Sequence, residues 1–198
     1  MNCLLIVDVQ NDFLPGGALA VPHGDEIIPF VNKLQHEFDL VVATQDWHPQ
    51  DHGSFAANHS GRKPGEVIDL NGLDQILWPV HCVQGAFGAE FSKELDDAKI
   101  DKVFVKGTDK AIDSYSGFFD NGRLKSTGLD AYLKSKGVEK LTVVGLAADY
   151  CVKYTALDAI GLGYQVEVPR DGTRAVNLMP NDLDKAIAEM EQAGIVVK

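Results

Sequence analysis

The chain has 198 residues, 45% hydrophobic and 24% charged, with 18 basic against 29 acidic side chains and a net charge of -11. That composition excludes a disordered or collagen-like chain, and its acidic excess opposes a nucleic-acid partner. No apolar run approaches the ~20 residues of a membrane span, and Asp8 interrupts the N-terminal apolar run too early for a signal peptide. One soluble domain over residues 1–198 is expected, with no membrane partner. The three cysteines, Cys3, Cys82 and Cys151, make no disulfide framework, which points to a reducing, cytoplasmic setting.

Residues 3–9 read as a buried strand, and 25–37 as a helix with Ile27, Ile28, Val31 and Leu34 on one stripe. Asp25 is the expected N-cap of that helix, and Pro29 falls near its first turn. A second strand spans 40–45. Residues 46–101 break the alternation: they are long, rich in His, Gly, Pro and Asp, and helical only near 88–98. Strands follow at 102–107, 140–146, 164–168 and 195–197. Helices are predicted between them at 128–136, closed by Gly137, at 150–161, and at 181–193, with Asn181 as cap and Gly194 as terminator. The strands lack clean alternation, as parallel strands covered on both faces do. The pattern predicts an α/β, Rossmann-like three-layer sandwich: a mainly parallel sheet of about six strands with helices on both faces.

Ligands in such sheets bind beyond the carboxyl ends of the strands. Asp8, Asp46 and Lys106 fall at strand ends, and Cys151 at the start of the 150–161 helix. Free N–H groups there favour a thiolate or an oxyanion, although a free cysteine also serves as core packing. Lys106, alone among apolar neighbours, and Asp8, after an apolar run, would resolve each other's burial as a pair; snorkelling of the lysine is the alternative. Four of the six histidines (His48, His52, His59 and His81) lie between 48 and 81. In an extended T-Q-D-W-H, Asp46 and His48 point the same way, and His81 could supply a third donor to zinc, iron or manganese. Phe13, Trp78, Tyr115 and Tyr150 lie near these groups, where a flat ring could stack. No G-x-G-x-x-G opens a helix after the first strand, so a dinucleotide site is not expected.

Together these residues resemble the isochorismatase-like cysteine hydrolases, and among them the nicotinamidase and pyrazinamidase group. The motifs are I-V-D-V-Q-N-D-F at 6–13, G-G-A-L-A-V at 16–21, T-Q-D-W-H-P at 44–49, H-G-S-F at 52–55, W-P-V-H-C-V at 78–83, V-K-G-T-D at 105–109, Y-S-G-F-F at 115–119 and V-G-L-A-A-D-Y-C-V at 144–152. The resemblance implies a triad of Asp8, Lys106 and Cys151, and a cis peptide at Leu146–Ala147 that aims the Ala147 and Cys151 N–H groups at the substrate oxygen. It further implies one divalent metal on Asp46, His48 and His81, zinc first and iron or manganese after it. Phe13, Trp78 and Tyr115 would line a pyridine pocket. Some relatives add a fourth protein ligand, for which His52, Ser54, His59 and Glu66 are the local candidates. Position 148 is Ala where relatives often carry Thr. The implied reaction is hydrolysis of nicotinamide to nicotinate and ammonia in NAD salvage, with pyrazinamide as an analogue, and the implied assembly is a homodimer or higher homo-oligomer. The rivals are a metal-dependent hydrolase with water as nucleophile, a superfamily amidohydrolase of ureido or carbamoyl substrates, and a non-enzymatic metal-binding module.

Overall fold

The computed structural model describes residues 1–198. In chain order the elements are β1 (Asn2–Val7), α1 (Ile28–Gln35), β2 (Val41–Asp46), β3 (Val67–Leu70), β4 (Leu73–Ile76), β5 (Lys102–Lys106), α2 (Leu129–Ser135), β6 (Lys140–Leu146), α3 (Cys151–Gly161), β7 (Gln165–Val168), β8 (Thr173–Arg174), α4 (Asp182–Gln192) and β9 (Val196–Val197). Seven strands form one sheet in the order β5-β2-β1-β6-β7-β9, with β8 paired to the end of β6. Every pairing in it is parallel. The two-residue β8 is too short to carry a period, so it was invisible in the sequence.

The sheet separates two apolar clusters. Cys3, Leu5 and Val7 pack with Leu129 and Leu133 of α2, Val152 and Ala156 of α3, and Ile187 and Met190 of α4. Their neighbours Leu4 and Ile6 point the other way, to Ile28 and Val31 of α1 and to Cys82, Ala89 and Leu95. One face therefore carries three helices, and the other carries one helix plus part of the long excursion. No helix is long and apolar enough to cross a membrane.

Local departures from the sequence reading have physical causes. Residues 88–98 do not form a helix; single 3-10 turns at Phe87–Ala89 and Asp97–Lys99 flank an isolated bridge at Phe91 and a turn closed by Leu95 N–H to Ser92 O (3.1 Å). Its backbone is used otherwise, since Asn11 N–H donates to Glu90 O (3.0 Å) and Ser92 N–H to Val9 O (3.0 Å). Asp25 caps nothing: a 3-10 turn at Gly24–Ile27 precedes α1, which begins with Pro29 in its first turn. Asn181 makes no side-chain cap at α4; the Asn177 Oδ1 accepts the Leu183 N–H instead, at 3.0 Å. The excursion also holds an antiparallel hairpin, β3–β4, that the sequence reading left out. Its turn, Asn71-Gly72, has φ values of 55° and 87°, the pair that closes a two-residue hairpin.

Candidate active site and metal centre

The chain leaves β1 toward β2 and β5 on one side and later returns to β6 on the other, so the strand order reverses beside β1. At this edge Asp8 follows β1 with φ 50°, Asp46 ends β2, Lys106 ends β5, and Cys151 opens α3 behind β6. All four are buried.

Lys106 joins them. Its Nζ donates to Asp46 Oδ1, to Ser114 O (3.0 Å) and to Cys151 Sγ (3.4 Å). Those three bonds use its three protons. Asp8 Oδ2 lies 2.8 Å from the same ammonium as an ion pair, while Thr44 Oγ1 donates to Asp8 Oδ1 at 2.7 Å. Asp8 thus stands between the ammonium and the thiol, with a carboxylate oxygen within 4.8 Å of Cys151 Sγ. Burial pushes the Asp8 carboxyl up, against the pull of Lys106 and with a further push from Asp46. Burial acts on Asp46 in the same direction, but Lys106 and the two histidines prevail and hold it well below the usual carboxylate range. Burial also raises the Cys151 thiol, with Lys106 opposing and Asp8 and Asp46 adding to the rise. The resting cysteine is therefore a thiol in need of a base. The Leu146–Ala147 peptide is cis, and neither Ala147 N–H nor Cys151 N–H donates a hydrogen bond within the chain.

Asp46, His48 and His81 bring their donor atoms within 4.8 Å of one another. His48 Nδ1–H donates to Gly107 O (2.9 Å) and His81 Nδ1–H to Pro79 O (2.8 Å), which leaves each Nε2 lone pair facing inward. Asp46 Oδ2 is 3.7 Å from His48 Nε2 and 3.9 Å from His81 Nε2. These are too long for hydrogen bonds, but near the ~3.4 Å that separates two ligands of a tetrahedral zinc. Burial, with His48 adding to it, lowers His81 to about 4, the neutral form a metal requires. The residues therefore fit a divalent ion.

Among the fourth-ligand candidates, His59 Nε2 donates to Gly53 O (2.7 Å) and Glu66 pairs with Arg62 (3.1 Å). Ser54 Oγ lies 2.7 Å from His52 Nδ1, which also accepts the Ser54 N–H at 3.2 Å. That leaves His52 Nε2 buried and without a partner. It shares with His48 and Asp113 a second group of close donor atoms.

Phe13, Trp78 and Tyr115 line the cavity beside Cys151 and His81, joined by Tyr150, Leu19, Asp113 and Val176. Trp78 and Tyr150 meet edge to face at 4.9 Å, and Trp78 Nε1–H donates to the Tyr115 hydroxyl at 3.1 Å. Asp46, His48, His81, Phe13, Trp78, Tyr115, Ala147 and Cys151 thus line one pocket, and Asp8 and Lys106 lie against Cys151, whereas His59 and Glu66 are engaged elsewhere. Gln10, Thr44, Gln75 and Asp113 were missed. Their only sequence signal is a polar side chain beside a strand end or a predicted site residue, which does not distinguish them from surface residues.

Residues 2–198 match the Isochorismatase domain family. The chain is 50% identical over 197 residues to a nicotinamidase of Escherichia coli strain K12, covering 98% of this chain and 92% of that protein. A structure described as a nicotinamidase pyrazinamidase of Acinetobacter baumanii superposes with a TM-score of 0.96 at 45% identity, over 99% of this chain and 94% of the other. A pyrazinamidase of Pyrococcus horikoshii in complex with zinc superposes with a TM-score of 0.81 at 37% identity, over 100% and 98%.

Proposed function

We infer the reaction from the premise that the chain belongs to the isochorismatase family. It is an amidohydrolase that converts nicotinamide to nicotinate and ammonia, and pyrazinamide is turned over by the same chemistry. The observation that carries the mechanism is the buried Asp8 carboxylate within 4.8 Å of a Cys151 that Lys106 holds at 3.4 Å. Asp8 takes the thiol proton, and the sulfur attacks the carboxamide carbon. The Ala147 and Cys151 N–H groups receive the oxyanion. Asp8 returns its proton to the amino group, ammonia leaves, and a thioester to Cys151 remains. Asp8 then deprotonates a water that attacks the thioester carbon; the electron pair returns to sulfur and nicotinate departs. Asp46 and Asp8 outweigh the effect of burial on Lys106 and hold its ammonium charged in the resting site.

Asp46, His48 and His81 would hold the metal, with zinc the first choice. When bound, it supplies a Lewis acid for the pyridine nitrogen, orienting the ring and withdrawing electrons from it. His52 packs on His48 with ring centroids 4.4 Å apart and keeps a buried Nε2–H donor, because its Nδ1 accepts the Ser54 N–H. Phe13, Trp78 and Tyr115 clasp the ring. One domain over residues 1–198, a cytoplasmic setting and a homo-oligomer complete the proposal. The test is ammonia release from nicotinamide, with metal content measured alongside. Wild-type protein should release ammonia and nicotinate in equal amounts, and Cys151→Ala should lose turnover by at least ~10⁴-fold while keeping its metal and fold. Substantial activity in that variant favours a water nucleophile. Turnover of ureido or carbamoyl amides alone favours the sister amidohydrolases, and no ammonia from any amide favours a binding module.

A further inference from the structure

The loop after β1 carries more than the base Asp8 and the wall residue Phe13. β1 turns away at Asp8, with Asp8 N–H donating to Thr44 O (3.2 Å), so the Asp46 peptide further along β2 has lost its strand partner on that side. The fully buried Gln10 side chain takes the vacated place. Its Oε1 accepts the Asp46 N–H (2.9 Å), and its Nε2 donates to Asp46 O (2.8 Å) and Ala89 O (2.8 Å). The amide thus continues the ladder that β1 abandoned, and both of its hydrogens are used. On the other side, Trp47 N–H donates to Lys106 O (2.9 Å). Two residues on, Asp12 Oδ2 accepts the N–H of Cys82 (2.7 Å), the residue after His81, and Oδ1 accepts the Ala18 N–H (3.2 Å). A Cβ at Gly88 would meet that carboxylate at 2.0–2.4 Å, so the site for Asp12 is shaped around it.

We propose that Gln10 is a positioning residue for the metal centre, fixing the Asp46 peptide from which the carboxylate projects, and that Asp12 does the same for the turn bearing His81. Neither touches the ion. The inference rests on the metal reading above. Ligand distances matter to about ±0.2 Å, and loss of such outer partners weakens metal binding about 10–100-fold. Gln10→Met keeps the volume and removes all three bonds. Titration with Zn²⁺ or Co²⁺ against a chromophoric chelator should show binding weakened at least ~10-fold, and excess metal should restore kcat to within a few-fold of wild type. A purely structural role would lower the melting temperature without that rescue. Should Gln10→Met fail to fold, Asp12→Asn carries the same titration. Affinity equal to wild type in the folded variant, or a loss that saturating metal does not restore, overturns the inference alone. A wild-type chain that binds no zinc overturns the metal reading and this inference with it.

Discussion

The triad and the metal cage share one pocket but are supported differently. Asp8, Lys106 and Cys151 stand at the ends of β1 and β5 and at the start of α3, where the parallel ladder and the apolar layers beneath it fix them. In the cage only Asp46 belongs to a strand. His48 and His81 sit on the irregular excursion and are held by individual contacts: the bonds to Gly107 and Pro79, the Asp12 bond to the Cys82 N–H, and an isolated bridge from His48 to Val83. Secondary structure thus sets the triad, whereas individual polar contacts set the cage. Lys106 alone belongs to both.

The sharpest way to break that arrangement is Lys106→Met, which keeps the length and removes the charge. Asp8 and Asp46 then lose their shared cation while both stay buried. Stripping a buried ion group of one partner costs about 3–5 kcal/mol. Urea denaturation should show a loss of that order, and ammonia release should fall ~10³-fold or more as the thiol and its base lose their common anchor. A stable, active Lys106→Met protein would mean the two regions are not joined through this residue.

A smaller effect separates the regions by pH. In metal-free protein His81 is held neutral down to about 4, against 6.5 when unfolded. The unfolded chain therefore binds more protons between those values, and stability falls as pH drops from 6.5 to about 4. The loss amounts to roughly 3–4 kcal/mol at most for this residue. His52, lowered by burial, acts in the same direction. His48 opposes: despite its burial, Asp46 raises it, so its contribution is full below 6.5 and fades as pH rises through its folded value. Urea midpoints of chelated protein at pH 7 and pH 4.5 measure the net slope, and His81→Asn should flatten it. An unchanged slope in that variant would place the acid sensitivity outside the cage.

The same division explains what could be read from the chain. Strand ends are marked by apolar runs, so Asp8, Asp46 and Lys106 fell where the sheet puts them, and Cys151 followed from the helix start. His81 has no such marker; it stood as a third donor only as one of four histidines in the excursion, and its geometry depends on the local Pro79 contact and on the Asp12 bond from a distant segment. Gln10 was illegible for the same reason, because a side chain acting as a strand partner leaves no period. The 88–98 segment has helical spacing, but tertiary pairing with residues 9–11 overrides it. The Asn71-Gly72 hairpin is different: its turn signal was present in the sequence, and the irregular composition around it hid the strands.

That hairpin supplies the gentlest test. Gln75 of β4 is buried, and its Nε2 reaches the Tyr115 hydroxyl (3.2 Å) and Asp113 Oδ2 (3.1 Å), while Trp78 Nε1–H donates to the same hydroxyl at 3.1 Å. Tyr115→Phe removes the oxygen on which two wall elements converge and leaves the ring in place. Gln75 keeps Asp113 Oδ2 and Ile76 O as acceptors, but the Trp78 N–H loses its partner. A lost hydrogen bond of this kind is worth about 1 kcal/mol, or roughly fivefold in binding. Since Tyr115 belongs to the loop-built wall and not to the strand-end chemistry, that factor should appear in KM for nicotinamide with kcat unchanged. A fall in kcat at constant KM would instead tie the wall to the reacting carbon, and the separation between the two regions would no longer hold.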